Sequence, residues 1–80
     1  MTPEEYAKAH QKAVRCAFDF LTNHFPPGQD SEWWKQAAKD LSSFSVAAGE
    51  NRLAIELLSG VYDYLEYIWK EKYKDGSVGN

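Results

Sequence analysis

Eighty residues carry nine Lys and Arg against twelve Asp and Glu, a net charge of −3 with a pI near 5.2. A chain of this length supports one small domain that buries only about 60% of its unfolded surface. The acidic balance gives no electrostatic reason for binding nucleic acid, which draws on clustered Lys and Arg, and a hydrophobic share of 44% excludes disorder of the whole chain.

The first element opens on Thr2-Pro3-Glu4-Glu5. Thr2 can cap, Pro3 fits the first turn where no donor is needed, and Glu5 stands where a capping box wants an acid. Tyr6, Ala9, Ala13, Ala17, Phe20 and Leu21 then share one face, with Lys8, Lys12, Arg15 and Asp19 opposite. This predicts a helix over 3–25, stopped by Pro26 and Pro27. Asp30 and Ser31 offer caps for a second helix over 31–48, with Glu32 well placed in its first turn. Its apolar face is Trp34, Ala37, Leu41, Phe44 and Ala48, widened by Trp33 and Ala38. Lys35, Lys39, Ser42 and Ser43 are opposite, with Val46 an apolar exception among them. Gly49 suits the left-handed residue that closes a helix.

The third helix, expected over 50–74, organises the rest. Arg52, Glu56, Ser59, Asp63, Glu66 and Lys70 recur at steps of four and three, one narrow polar stripe at a period of 3.6. Around it stand Leu53, Ile55, Leu57, Leu58, Val61, Tyr62, Tyr64, Leu65, Ile68 and Trp69. At about 100° per residue that apolar arc covers roughly half the circumference, too much for one neighbour. An all-α, antiparallel up-down-up three-helix bundle with the C-terminal helix central follows. Residues 1–75 are read as this single domain and 76–80 as a flexible tail, with Asp75-Gly76 as the stop. Gly60 inside the third helix suggests either close backbone contact or a surface position.

No residue pattern points to catalysis, a cofactor or a metal. His10 and His24 both fall in the apolar arc of the first helix but lie about 21 Å apart, too far to share an ion. They read as core or boundary residues bonded to a tyrosine or carbonyl, with a ligand or catalytic pocket near either as the sharper alternative. Cys16 sits mid-helix with no base beside it and reads as a packed thiol. A lone cysteine, no visible signal segment and no long apolar run point to a reducing, cytoplasmic setting without a membrane span. Short acidic helical chains are common among bacterial accessory products, an analogy that assigns no residues.

The remaining signal is aromatic excess: three Trp, five Tyr and four Phe. Trp33, Trp34, Tyr62, Tyr64, Tyr67, Trp69 and Tyr73 exceed what a thin core needs, and Trp33, Tyr64, Tyr67, Trp69 and Tyr73 form the candidate partner-binding set. Such rings are enriched at interfaces, yet they also wrap small cores with their polar tips in water. The expectation is a non-catalytic interaction module that forms a homodimer or binds another protein. An acidic inhibitor filling a basic nucleic-acid-binding groove is the alternative, although Arg52, Lys70 and Lys74 interrupt its carboxylates.

Overall fold

The computed structural model describes residues 1–49 and 51–78, with side chains through Lys72. It contains three helices: α1 (Pro3–Asn23), α2 (Ser31–Ala47) and α3 (Arg52–Val78). Their starts are chemically explicit. The Thr2 hydroxyl accepts from the Glu5 N–H while the Glu5 carboxylate accepts from the Thr2 N–H, a complete capping box. Those two bonds hold the Glu5 carboxyl below its ordinary value. Asp30 accepts from the Trp33 N–H at the start of α2. Asn51 accepts from the Leu53 and Ala54 N–H groups at the start of α3. Gly49 has φ 75°, the left-handed conformation expected where α2 turns back.

α3 is the central element. It packs most extensively on α1 and less on α2, while α1 and α2 meet least. The register follows from named contacts. The Asn51 side-chain amide donates to the Ala9 carbonyl, Ala13 packs with Ala48 and Ala54, and Phe20 packs with Leu58 and Leu65. Numbers on α1 and α3 therefore rise together, so these helices run the same way and α2 runs against them. Ala13 and Ala54 are fully buried. Small residues here let α1 and α3 approach closely, and Phe20, Leu58 and Leu65 fill the wider end of the core.

Ala9 meeting Asn51 leaves the first turns of α1 beyond the α2–α3 turn. At about 1.5 Å per residue α3 outruns α1 at the opposite end. This stagger produces an envelope of 56 × 20 × 16 Å. Tyr6, assigned by periodicity to the core face, lies on the overhang and is exposed. Ala38, expected to widen the apolar face of α2, is also exposed.

The helix ends differ modestly from those expected. α1 closes at Asn23, where His24 caps it, and α2 closes at Ala47. α3 continues past Lys74, Asp75 and Gly76 to Val78. The expected stop fails because a single Gly costs a helix only about 1 kcal/mol relative to Ala. The helical backbone thus includes 76–78, while Glu50, Gly79 and Asn80 lie outside the described residues. Among the described residues no helix is long and apolar enough to cross a membrane.

Candidate interaction face

Two stripes run along α1. Ala13, Ala17, Phe20 and His24 are buried against the other helices. Val14, Phe18 and Leu21 follow one position later and fall within about 60° of one another on the helix, and Phe25 comes directly after the His24 cap. This second stripe is largely uncovered: Val14 is 56% exposed, Phe18 65% and Phe25 50%. Leu21, Thr22 and Phe25 share a depression with Tyr64 of α3, which places the stripe on the α1–α3 side of the bundle. The opposite flank of α1 meets α2, where Cys16 and Phe20 touch Phe44. On α3 the apolar surface continues to Tyr64, 46% exposed, whereas Tyr67, 58% exposed, lies about 160° round the helix from buried Leu65 and faces away from the bundle. Gly60 lies one turn before Tyr64, and a Cβ added there would meet nothing. The close-contact reading of Gly60 therefore fails within this chain, and the surface reading holds.

Val14 and Phe18 also line a furrow with Lys8, Lys12, Arg15 and Asp19. All its lining residues belong to α1, so it is a crease between side chains of one helix, not an enclosed cavity.

The sequence-derived aromatic set divides between two places. Tyr64 stands on the exposed α1–α3 face, and Tyr67 is exposed on the outer side of α3. Trp33 is half-buried, packs against the Phe20–Leu58–Leu65 core and meets Trp34 edge-on at 4.7 Å between ring centroids. Trp69 is half-buried with its ring 6.2 Å from Trp34, and lines a groove between α2 and α3 with Trp34, Tyr62 and Lys35. The Tyr73 side chain lies outside the described residues. Val14, Phe18 and Phe25 were missed. Their signal was readable, since 14, 18, 21 and 25 repeat at steps of four, three and four beside the core stripe.

The titratable residues are arranged for packing. His10 is exposed with its ring 6.1 Å from that of Tyr6. His24 is buried and stacks on Phe20 at 4.1 Å. Its Nδ1 is 2.7 Å from the Phe20 carbonyl oxygen and its Nε2 is 2.8 Å from Asp40 Oδ2. The His24 bond, with a second from the Gln36 amide to Oδ1, holds the Asp40 carboxyl below its ordinary value. Cys16 donates to the Phe44 carbonyl, and burial together with Asp19 raises its thiol above the usual range, against a smaller opposing effect of Lys12. A raised thiol holds less of the nucleophilic thiolate at neutral pH. Among the described residues no group of three or more His, Cys, Asp and Glu side chains is placed to hold a metal ion. No family model, curated protein or solved structure matches the chain.

Proposed function

We propose that this protein is a non-catalytic interaction module that docks a protein partner, a second copy or another chain, through the α1–α3 face. One observation carries this reading: Val14, Phe18, Phe25 and Tyr64 are all about half or more exposed, and Phe25 and Tyr64 line one depression between α1 and α3. Isolated surface apolar residues are ordinary, whereas a run of rings over several turns marks a contact surface. A tyrosine, Tyr64, on its α3 border suits such a surface because the ring packs while the hydroxyl stays wet. A reducing cytoplasm suits the single half-buried thiol.

The test combines mass and proximity. Light scattering across the micromolar range measures self-association. A photo-crosslinking residue at Phe18, compared with one at exposed Lys39 on α2, reports a different partner in the producing cells. A concentration-dependent dimer, or a protein adduct specific to position 18, supports the proposal. A monomer that gives no adduct specific to that position overturns it.

A further inference from the structure

The contacts of His24 fix a proton count. Nδ1 faces the Phe20 carbonyl and Nε2 faces the Asp40 carboxylate, both within 2.8 Å. A carbonyl oxygen only accepts, and an ionised carboxylate only accepts. Each of the two contacts therefore needs its own hydrogen. A neutral imidazole carries one hydrogen, and beside an ionised carboxylate it would leave two lone pairs facing each other at one contact. We infer that the His24–Asp40 pair binds one proton more than a neutral imidazole beside a carboxylate, and that this proton latches the C-terminal end of α1 to α2.

The surroundings support that count. His24 is the C-cap of α1, where the last carbonyls favour positive charge. From α2 it meets Trp33, Phe44 and Asp40, and Asp40 is its one charged neighbour among these contacts. From α3 the same cluster receives Leu58, Val61, Tyr62 and Leu65. Of these only the Tyr62 phenol titrates, and burial with Glu66 pushes it above 10.0, outside the neutral range. The Asp40 carboxyl, held low by His24 and Gln36, stays ionised, so the extra proton resides on the imidazole.

The linkage sign is definite. The two contacts of His24 hold that extra proton in the folded state near neutral pH, and the unfolded chain lacks both of them. The folded state then binds more protons, so stability falls as pH rises. One proton of difference changes the folding equilibrium constant by up to about tenfold per pH unit in that window. Because Phe25 follows the latch directly, the same proton secures one end of the exposed apolar stripe.

Two measurements on the whole chain test this. Nitrogen-detected NMR of the imidazoles at neutral pH, with His10→Gln assigning the second ring, should show both His24 nitrogens protonated. A bare ring nitrogen on His24 would overturn the proposal. Urea unfolding between about pH 6 and about pH 8.5 should show the midpoint falling as pH rises. Asp40→Asn should remove that slope. Its amide oxygen can accept from Gln36 while its NH2 donates to a bare Nε2, so a neutral ring becomes fully satisfied. An unchanged slope in this variant would sink the latch, and should the variant not fold, the NMR result on the natural chain decides alone.

Discussion

Gly28 and the Trp33 ring share a space with room for a hydrogen and no more. A Cβ on Gly28 would overlap the Trp33 Cβ, Cγ and Cδ1 atoms, while the Gly28 carbonyl accepts from the Trp34 indole at 3.1 Å. Gly28→Ala must therefore displace a ring wedged against the core, and should cost about 1–3 kcal/mol, read as a lower urea midpoint. Asp40 adds an acid limb of opposite sign to the one argued for His24. Its folded carboxyl titrates below the ordinary 3.8, held down by His24 first and Gln36 second. That contribution is fully present above the ordinary value and is lost as pH falls through the lower folded one. An acid titration followed by circular dichroism should thus show Asp40→Asn lacking part of the low-pH loss of stability. The caps at Thr2 and Asp30 and the turn at Gly49 were legible because each follows from neighbours within a few residues. The His24–Asp40 bond spans sixteen positions and depends on how α1 crosses α2, which local spacing does not encode.

α3 shows what periodicity conveys at the scale of an element. The polar stripe fixed which side faces water, and Ala54, Leu58 and Leu65 are buried opposite it. Two neighbours do cover the apolar arc, yet its margins at Ile55 and Tyr64 remain exposed. The reason is geometric: α1 carries Ala13 and Ala17 at the contact, so the helices lie close and leave side chains on the flanks uncovered. Periodicity reports the direction a residue points but not how far a neighbour reaches around it. Two substitutions separate these effects. Gly60→Ala adds a methyl group in open space and should stabilise α3 by about 1 kcal/mol. Ala54→Leu adds volume where α1 and α3 touch and should destabilise by about 1–3 kcal/mol. Thermal unfolding of the two variants should shift in opposite directions.

At the scale of the whole molecule, folding and docking draw on different residues, and this makes the proposed role separable from stability. The core is thin: Phe20, Leu58 and Leu65 are its largest fully buried side chains. Leu65→Ala should cost about 2–5 kcal/mol, since it removes transfer energy and leaves a cavity. Phe18 is 65% exposed, so Phe18→Asp should change stability by about 0.5 kcal/mol or less. On a docking surface the same change buries a carboxylate against rings, and each 1.4 kcal/mol lost weakens association about tenfold. The decisive comparison is therefore Phe18→Asp against Lys39→Asp, each measured for urea midpoint and for dimer or adduct yield. Both should keep the natural midpoint, and only Phe18→Asp should lose association by about tenfold or more. If Phe18→Asp unfolds the chain, the α1 stripe belongs to the core. If it leaves both measurements unchanged, the exposed rings are surface and nothing more.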